Sequence, residues 1–576
     1  MRNNFFVTTP IYYTNGIPHI GHAYSSLIAD SIARYQKISG KKVKFSTGVD
    51  ENSQKALDKA NELGMEIMPY LDKMAAEHKN VWDGLKINYT DFIRTTEARH
   101  HKLVREVLQK SFDNGDIYEG EYEGLYCVGC ESFKKDEDLV YMNLTTKETF
   151  PITDKVKPSS NIVKVCPDHL KEPQTLKEKN YFFRLSKYEQ KLKDFYKENP
   201  SFVVPQDRFN EVIAFVDRGL EDFSISRETN KFGIKLPFDE SQVTYVWYDA
   251  LFNYVTVCKY SPHPNPLPKV EGIEQEFHNQ MDFWPADLHV VGKDIIRFHA
   301  IYWPAMLLSA GYELPKNVLT TGYFTVDGQK ISKSLGNAID PVEFSGKYSK
   351  DLLTLYLLSS FNIGQDGDFD QKQAILTYNA KLANNFGNLL NRAVVLTMKM
   401  ELENGLDSKV SDELLGVFKG LNFSVSSISG SIDYKGNTII EKMDGSISSL
   451  IYHYYENFDK YMFNYNLKLA LDLSFKFLDA LNLYVTQKEP WTLMKDESKL
   501  EEVKEIMYTI CEGVRQVSLN LYPFFPEKMT QVFDSLNLKD YKTRLEAGEL
   551  KTLRAEKVVF DIKEKAPILF EKFELE

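Results

Sequence analysis

The 576-residue sequence predicts an α/β fold built on a parallel sheet, with an inserted segment in its middle and an all-helical region after it. Three observations predict this fold. The first 110 residues alternate strand and helix patterns, and the alternation breaks over 116–234 into cysteines, glycines, prolines and charged turns. After about residue 370, apolar residues recur at helical spacing to about 535. A chain of this length is expected to form about three or four domains.

The N-terminal βαβ unit begins with the strand pattern 4-NFFVTT-9 and a turn at 10–16. A helix is predicted over 23–36, and a second strand over 40–52 leads into another helical stretch. The apolar positions that predict the two helices are Leu27, Ile28, Ile32, Tyr35, Ala56, Ala60 and Leu63. Because ligands bind where parallel strands end, we expect a site at the carboxyl ends of these strands.

The α/β pattern resumes at 243–255 and 288–308. Within the helical region, the low-complexity stretch 422–437 predicts a surface loop. The tail from 550 predicts short strand-like and Lys/Glu-rich pieces, and the sequence contains no internal repeat.

The composition excludes several classes of protein. A net charge of −12 and a pI of about 5.6 exclude a uniformly basic nucleic-acid-binding surface, but they allow a local basic face. The sequence has no apolar run of about 18 residues and no export signal at its N-terminus. Three of the five cysteines cluster, which is typical of a metal site in a reduced compartment. We therefore expect a cytoplasmic protein with no membrane segment.

The stretch 17-IPHIGHAYSS-26 places His19 and His22 around Gly21 at the predicted start of a helix. It can be interpreted as a metal site, as a phosphate site or as a polar helix cap. A helix start attracts anions, glycine allows a ligand close to the backbone, and imidazoles can donate to phosphate oxygens. A two-histidine zinc site would need spacing of four and further ligands. GxGxxG and GxxxxGK[ST] motifs are absent from the sequence.

A second motif lies in 326-VDGQKISKSLGN-337, where an Asp-Gly turn leads into Lys330, Ser332 and Lys333. Two lysines three residues apart on a loop could hold a polyphosphate and neutralise a leaving pyrophosphate. The alternative is an ordinary solvated basic loop. The combination of this motif with PHIGH, about 310 residues earlier, is more specific than either motif alone.

HIGH at 19–22 and KISKS at 330–334 resemble the two signatures of the class I aminoacyl-tRNA synthetases, and the chain is similar to those for methionine along nearly its whole length. The resemblance implies a Rossmann-like catalytic domain, an inserted connective domain with zinc knuckles and an α-helical anticodon-binding domain. The implied boundaries are 1–115 and 235–320 for the two catalytic halves, 116–234 for the insertion, 321–370 for the KISKS and stem-contact region, and 371–576 for the anticodon-binding domain.

The implied reaction uses ATP with magnesium as a substrate. The methionine carboxylate attacks the α-phosphate and releases pyrophosphate, and the 2′-hydroxyl of the terminal tRNA adenosine then attacks the adenylate. The resemblance assigns catalysis to His19, His22, Lys330 and Lys333. It assigns further ATP contacts to Gly21, Gly292, Asp294 and Ser332.

The methionine site is also implied by the resemblance. Asp50, in 48-GVDEN-52, would hold the α-ammonium group. The side-chain pocket would be lined by Ile11, Tyr13, Trp247, Leu251, Tyr254, Ile295, His299 and Trp303. A thioether packs well against aromatic rings, although aromatic residues at such spacings are ordinary core residues in many proteins.

The cysteines form two C-x-x-(C/H) knuckles, 127-CVGC-130 and 166-CPDH-169. Cys127, Cys130, Cys166 and His169 would fill a tetrahedral zinc site and leave no position open for catalysis. We therefore predict one structural zinc ion in the inserted segment. The alternative is a set of packed thiols.

The helical region offers candidate RNA contacts. In 379-NAKLANNFGNLLNRAVVL-396, an apolar seam of Leu382, Phe386, Leu389 and Ala393 is flanked by a polar stripe. Asn388 and Arg392 in that stripe, together with Trp491 at a loop-to-helix junction, resemble the residues that bind the CAU anticodon. The alternatives are a solvated helix face and a tryptophan packed between helices.

The resemblance implies methionine, ATP and the initiator and elongator forms of tRNA(Met) as partners, and we expect a monomer. One alternative is another class I synthetase, for an apolar amino acid or cysteine. The insertion is too short for the editing domain of an isoleucine, valine or leucine enzyme. A tRNA-binding relative that has lost catalysis is a further alternative, against which the two intact motifs argue.

Overall fold

The structure is a computed structural model. It describes residues 2–127, 132–134, 136–152, 159–167, 170–228, 230, 232–262, 277–326, 328–331, 337–414, 417, 431–432, 438–439 and 447–575. Four predicted site residues lie outside this part of the chain, namely Cys130, His169, Ser332 and Lys333. Most of the predicted surface loop 422–437 also lies outside it.

A six-stranded parallel sheet forms the centre of the molecule, as the sequence predicts. Its middle strand, β1 (Asn4–Tyr13), lies between β2 (Lys42–Asp50) and the strand Leu288–Gly292. Across the sheet the order is Val203–Val204, Val318–Thr321, Leu288–Gly292, β1, β2 and β3 (Asp91–Arg94). The sheet therefore joins residues from the predicted insertion and from both predicted catalytic segments.

Strand β1 is longer than the sequence predicts, and the predicted turn at 10–16 begins later. Pairing with β2 continues to Tyr13 opposite Asp50, after a register shift between Thr8 and Ile11. Pro10 lies within that shift, where it has no N–H to donate, so an irregularity accommodates it without ending the strand. The extension carries Ile11 and Tyr13 to the carboxyl edge of the sheet.

Helix α1 (Ile20–Ile38) is also longer than the predicted 23–36. Its N-cap is His19, whose side chain accepts from the Gly21 backbone N–H. The helix ends at Ser39 and Gly40, and Gly40 has a φ of 94° that favours glycine. The predicted apolar positions Leu27, Ile28, Ile32 and Tyr35 are all buried.

Residues 116–234 contribute two smaller antiparallel sheets. One contains Phe223–Ser224, Gln174–Phe183, Ile117–Cys127 and Ser132–Lys134, and the other contains Thr149–Pro151, Val140–Asn143 and Ile162–Val165. Short pairs join Ser226–Arg227 with Val243–Thr244, Ser261–Pro262 with Phe277–His278, and Ser431–Ile432 with Thr438–Ile439. A three-stranded sheet consists of Gln329–Lys330, Phe324–Val326 and Gly367–Asp368.

The helices before residue 370 surround the central sheet. They are α1, Gln54–Glu62, Ile67–Gly84, Ala98–Asp113, Glu189–Glu198, Gln206–Asp217, Val246–Leu251, Asn253–Lys259, Trp303–Ala310, Pro341–Lys347 and Lys350–Ser359. A π-helical segment, Phe298–Tyr302, precedes Trp303. Single 3-10 turns cover Asp136–Asp138, Leu185–Tyr188, Met281–Phe283 and Lys293–Ile295.

The region after residue 370 is helical, as predicted. Its helices are Gln371–Tyr378, Asn388–Met398, Ile447–Phe463, Leu467–Lys488, Pro490–Leu493, Leu500–Leu521, Pro526–Ser535, Tyr541–Glu546 and Leu550–Ala555, with a π-helical segment at Asn379–Gly387 and a 3-10 turn at Glu497–Lys499. The strand-like prediction from 550 is wrong for this last helix, because Leu550 and Leu553 pack into the helical core. Among the described residues, no helix combines the length and apolarity that a bilayer span requires.

The helical core encloses one buried ion pair. Arg515, which is fully buried, donates from Nη2 and Nε to the Glu512 carboxylate at 2.6 and 2.7 Å. It also donates to the Leu553 carbonyl at 2.5 Å and to the Tyr541 hydroxyl at 3.1 Å. This cluster fixes the last helix of the chain against Leu500–Leu521.

Removing the charge of Glu512 should therefore destabilise the helical region. We expect Glu512→Gln to cost about 3–5 kcal/mol, because it leaves a guanidinium buried without its counter-charge. The matched control is Glu501→Gln, which breaks the exposed pair with Lys504 on the same helix and should cost less than about 1 kcal/mol. Urea midpoints measure both effects, and equal midpoints for the two variants would contradict the prediction.

Candidate active site

The motif at 19–22 lies at the N-terminus of α1, at the carboxyl end of β1. His19 Nδ1 accepts from the Gly21 N–H at 3.1 Å, and His22 Nδ1 accepts from the His19 N–H at 3.1 Å. The ring centroids are 4.0 Å apart. Gly21 leaves room for this arrangement, because a Cβ there would lie 2.9 Å from His19 Cε1.

These contacts determine where each imidazole carries its proton. A backbone N–H can only donate, so Nδ1 of each neutral ring is the acceptor and Nε2 carries the hydrogen. The Nε2–H of each ring is thus a donor at a helix N-terminus, where an anion is also favoured by the backbone. The cap interpretation and the phosphate interpretation are compatible, since Nδ1 makes the cap contact and a phosphate would be bound through Nε2.

The hairpin with the second motif is joined to this helix. Phe324–Val326 pairs with Gln329–Lys330, and Gly328 has a φ of 71° at the turn, as the Asp-Gly signal predicts. Phe324 contacts Tyr24 of α1, with ring centroids 4.9 Å apart. Beyond the motif, the Ile339 carbonyl accepts from the Ile20 N–H at 3.2 Å. A ring contact before KISKS and a backbone hydrogen bond after it therefore join this segment to the helix that begins at HIGH.

Two aspartates that the sequence does not single out hold this hairpin. Asp368 Oδ1 accepts from the Gly328 N–H at 2.9 Å and from the Thr325 hydroxyl at 2.6 Å. Asp366 accepts from the Tyr323 N–H at 2.9 Å and pairs with Lys293 at 2.6 Å. These contacts lower the pKa of the Asp368 carboxyl, with the Thr325 hydroxyl as the main cause. Their only sequence signal is the run 366-DGDFD-370, which also fits an exposed turn.

Gly292 and Asp294 are predicted to contact ATP. Gly292 is the last residue of the strand next to β1, and Asp294 lies in the 3-10 turn that follows. Asp294 is exposed, and its carboxylate folds back over Gly292. A Cβ added at Gly292 would lie 2.4 Å from Asp294 Oδ1. A side chain at 292 would thus displace the carboxylate.

The predicted methionine-site residues meet beside the same sheet edge. The apolar members all belong to one hydrophobic cluster: Ile11, Trp247, Leu251, Tyr254, Ile295 and Trp303. Tyr13 meets Trp247 edge-to-face at 6.4 Å between centroids. Trp303 is completely buried and packs against Phe252, so it is a core residue as well as a pocket candidate.

Two polar groups lie inside this apolar cluster. The Tyr254 hydroxyl is 2.8 Å from His299 Nε2, and His299 Nδ1 is 3.1 Å from the Ile295 carbonyl. Burial lowers the pKa of His299 to about 4, so the ring is neutral at pH 7. The π-helical turn Phe298–Tyr302 presents His299 here, and such turns are frequent at functional sites.

Sequence reasoning missed two neighbours of the pocket. Phe298 stacks on Trp247 with a centroid distance of 3.9 Å and an interplanar angle of 6°. Asp249 lies fully buried in the same helix as Trp247. Burial raises the pKa of Asp249 well above its usual value, and the charge of Asp50 raises it further. The charge of Asp50 thus opposes ionisation of Asp249, and a cationic group bound beside the two carboxyls would favour it.

Two of the four predicted zinc ligands are described. Cys127 ends the strand Ile117–Cys127, Cys166 follows Ile162–Val165, and both are buried in one small cluster with Leu139. The Cys166 carbonyl accepts from the Leu170 N–H at 2.8 Å. The described residues contain no group of three metal-ligating side chains. Two buried thiols brought together from 39 positions apart nevertheless fit the donor chemistry of a zinc site.

The predicted anticodon contacts lie on the surface of the helical region. The seam Leu382, Phe386, Leu389 and Ala393 is buried, as predicted. Asn388 and Arg392 are exposed four residues apart on the helix Asn388–Met398. Trp491 is 41% exposed, so the interpretation as a tryptophan packed between helices is wrong. In the same stripe, Lys381 and Asn385 instead bond Asp472 and Asp479.

A HIGH motif at the carboxyl edge of a parallel sheet, a hairpin that leads into KISKS and packs on the same helix, and a helical region after them are the features of a class I aminoacyl-tRNA synthetase. The family described as "tRNA synthetases class I (M)" matches residues 5–394. The chain belongs to this family, the methionine–tRNA ligases.

Relatives named methionine–tRNA ligase match almost the whole chain. The protein of Fusobacterium nucleatum subsp. nucleatum is 38% identical over 100% of this chain and 81% of its own length. That of Thermotoga maritima is 38% identical over 93% of this chain and 76% of its own, and that of Bacillus subtilis is 36% identical over 96% and 77%.

Solved structures agree with the fold. Mycobacterium tuberculosis methionyl-tRNA synthetase in complex with methionyl-adenylate has a TM-score of 0.82 and 29% identity, covering 98% of this chain and 99% of its own. The apo form of that enzyme has a TM-score of 0.76 and 28% identity, covering 100% and 99%.

Buried neutral histidines should make stability depend on pH. Burial lowers the pKa of His100 to about 3 and that of His299 to about 4, against about 6.5 in an unfolded chain. Between these values the unfolded state binds more protons, so stability falls as pH falls from 6.5 towards 4. Each ring should contribute up to about 1.4 kcal/mol per pH unit.

Urea midpoints between pH 7 and 4.5 measure this slope. His299→Gln should flatten it, because it removes one ring that is held neutral by burial. The same slope in wild type and His299→Gln would show that His299 is not held neutral.

Proposed function

We propose that this methionine–tRNA ligase activates methionine at the carboxyl edge of its parallel sheet, with the ATP phosphates at the N-terminus of α1. The methionine carboxylate attacks the α-phosphate, which forms methionyl-adenylate and releases pyrophosphate. The 2′-hydroxyl of the terminal tRNA adenosine then attacks the adenylate carbonyl and releases AMP. The observation that carries this assignment is the direction of the His19 and His22 protons, because each Nδ1 already accepts from the backbone.

In this proposal His19 and His22 donate from Nε2 to phosphate oxygens, whose negative charge grows as the α-phosphate is attacked. Gly21 allows the phosphates close to the helix. Lys330 and Lys333 neutralise the leaving pyrophosphate, whose magnesium ion enters with ATP. Ser332, Gly292 and Asp294 complete the ATP contacts. The ring contact of Phe324 with Tyr24 and the hydrogen bond from the Ile20 N–H to the Ile339 carbonyl support the pairing of the two motifs.

Asp50 would bind the methionine ammonium, and the apolar pocket would take the side chain. Ile11, Tyr13, Trp247 and Ile295 are partly exposed and would form the mouth of the pocket. The buried residues Leu251, Tyr254, His299 and Trp303 would form its wall. His299 is the one histidine among these eight residues, and it is neutral at pH 7, so the pocket suits an uncharged thioether. The family match favours methionine over another apolar amino acid or cysteine.

We also infer that Cys127, Cys130, Cys166 and His169 hold one structural zinc ion. The burial of Cys127 and Cys166 in one cluster supports this set. When bound, the ion would cross-link two turns of the segment 116–234, and a closed set of four ligands supplies no catalytic water.

The finer organisation is likewise a proposal. The segments 1–115 and 235–320 would form the catalytic domain, 116–234 the insertion, 321–370 the KISKS and stem-contact region, and 371–576 the anticodon-binding domain. We propose a cytoplasmic monomer that charges initiator and elongator tRNA(Met). Asn388, Arg392 and Trp491 would read the anticodon, which the exposure of all three side chains supports.

The activation step is tested by ATP–pyrophosphate exchange, which should depend on methionine. We expect His19→Asn to lower exchange about 10²–10³-fold, because it removes the imidazole donor. Asparagine keeps an acceptor at the N-cap, so the melting temperature should change little. His22→Ala should give a similar loss of exchange.

His19→Ala separates the two tasks of His19, since it removes the cap as well and should cost about 1 kcal/mol more stability than His19→Asn. Near-wild-type exchange in His19→Asn would refute the phosphate role. Exchange driven better by isoleucine or cysteine than by methionine would instead refute the assigned amino acid.

The anticodon contacts are tested by comparing charging with activation. Trp491→Ala should lower tRNA(Met) charging about 10–100-fold, because one base loses the aromatic ring on which it stacks. Pyrophosphate exchange should stay within about 2-fold of wild type. Leu469→Ala is the control, because this residue of the same region is 39% exposed. Equal losses of charging and exchange in Trp491→Ala would exclude an anticodon role.

A further inference from the structure

A cavity of about 450 Å³ lies at the amino edge of the central sheet, opposite to the edge that carries the proposed active site. Its walls come from the second half of α1, from the start of β2 and from the turn that follows the helix Tyr541–Glu546. A cavity of this volume is large enough for a small molecule. None of the roles assigned above uses it.

The cavity forms where the central sheet meets the helical region. The backbones of Gly40 and Gly548 are in contact here, and a Cβ added at Gly548 would lie 2.6 Å from Gly40 Cα. Both residues have positive φ angles, of 94° and 92°, which glycine adopts without strain. Glu546 and Ala547 precede this contact and line the cavity. A molecule bound in the cavity would therefore touch both regions of the protein.

Three lysines line the cavity without a counter-charge. In the part of the chain that the structure describes, no carboxylate forms an ion pair with Lys37, Lys41 or Lys42. Lys41 Nζ instead lies 5.2 Å from the centroid of the Phe5 ring. Lys41 is partly buried, and this burial lowers the pKa of its ammonium group. An anion in the cavity would compensate for the water that this group has lost.

The carboxylates near the cavity do not neutralise these lysines. Asp30 accepts from Arg34 Nε at 2.9 Å, so these two charges cancel. Asp287 acts on Lys41 from outside the lining, but it is paired with Lys316 at 2.5 Å. Glu546 is the remaining carboxylate of the lining, against three lysines. The cavity is thus positively charged, although the net charge of the chain is −12.

Two amide side chains add neutral hydrogen-bonding groups to the lining. Asn3 and Asn88 lie in the cavity wall, and within the described residues their side chains make no hydrogen bond. An amide N–H can donate to a phosphate oxygen, and an amide oxygen can accept from a hydroxyl group. Ammonium groups together with amides are suited to a phosphorylated small molecule.

We propose that this cavity is a second ligand site, which binds a small molecule through a diphosphate group and joins the central sheet to the helical region. Three unpaired ammonium groups and this volume exceed what a single phosphate group requires. The lysines would contact the phosphate oxygens, and the two asparagines would contact the remaining polar groups of the ligand. The proposal does not depend on the reaction assigned above, because the site lies at the opposite edge of the sheet.

The test is calorimetric titration with inorganic pyrophosphate in about 150 mM salt, where long-range attraction by surface charges is screened. Magnesium is left out so that the probe keeps its full charge. The wild-type protein should show two binding events, one in the cavity and one at the active site. Lys41→Met removes the ammonium group and keeps most of the aliphatic stem. It should weaken the cavity event at least about 10-fold, the loss expected for one charge-assisted contact. Pyrophosphate exchange within about 2-fold of wild type would show that the variant is folded.

Two variants serve as controls. Lys191→Met removes an exposed lysine outside the cavity, whose Nζ lies 5.3 Å from the centroid of the Tyr188 ring, and it should retain both binding events. Lys330→Gln should weaken the active-site event and retain the cavity event. Equal weakening in Lys41→Met and Lys191→Met would overturn the proposal, as would the loss of all binding in Lys330→Gln. A wild-type protein that binds pyrophosphate only at the site weakened by Lys41→Met would refute the active-site assignment instead.

Guanosine diphosphate as a second probe identifies the source of the diphosphate group. Tighter binding of this nucleotide than of pyrophosphate in the cavity event would show that the nucleoside is also bound, and Asn3→Ala or Asn88→Ala should then remove the difference. Equal affinities would show that the diphosphate group alone is recognised. Absence of the cavity event with both probes would overturn the proposal.

Discussion

The parallel pairing of β1 with two strands that are distant from each other in sequence determines where the site forms. One neighbour, β2, ends at Asp50, and the other, Leu288–Gly292, ends at the Gly-Lys-Asp turn. Parallel strands bring their carboxyl ends to one edge, so the end of β1, Asp50 and the Gly-Lys-Asp turn converge although they span about 280 positions. Helix α1 then starts from the same edge and places its N-terminus beside them. The later helices pack around this arrangement.

At this edge the chain uses the two tautomers of histidine for opposite purposes. His19 and His22 accept from the backbone at Nδ1, so the proton of each neutral ring is on Nε2. His289 and His299 donate from Nδ1 to an internal oxygen, so their Nε2 atoms accept from Trp303 and Tyr254. The first arrangement suits phosphate, and the second suits an apolar side chain. A neutral imidazole carries only one proton, so a neighbour that donates to one ring nitrogen places the proton on the other nitrogen. The two pairs of histidines differ in which nitrogen accepts from a neighbour.

Local patterns in the sequence predicted much of this fold and part of this site. The βαβ alternation, the start of α1 at the HIGH motif, the Asp-Gly turn and the buried seam at 382–393 depend on neighbouring residues, and each is confirmed. Asp366, Asp368 and Phe298 were missed because their roles arise from partners far along the chain or from a π-helical turn. The strand pattern of β1 was predicted too short, since Pro10 resembles a strand end until the pairing with β2 is known.

Helix α1 also connects the proposed phosphate site with the helical region. Its first turn contains the HIGH motif, and near its last turn the Tyr35 hydroxyl donates to Asp459 at 2.7 Å. Asp459 in turn accepts two bonds from Arg554, each of 2.9 Å, so a single carboxylate joins α1 to two helices of the other region. Nineteen residues at about 1.5 Å per residue make α1 about 28 Å long. Because a packed helix does not bend easily over that length, the position of Asp459 constrains the orientation of the same helix whose start holds His19.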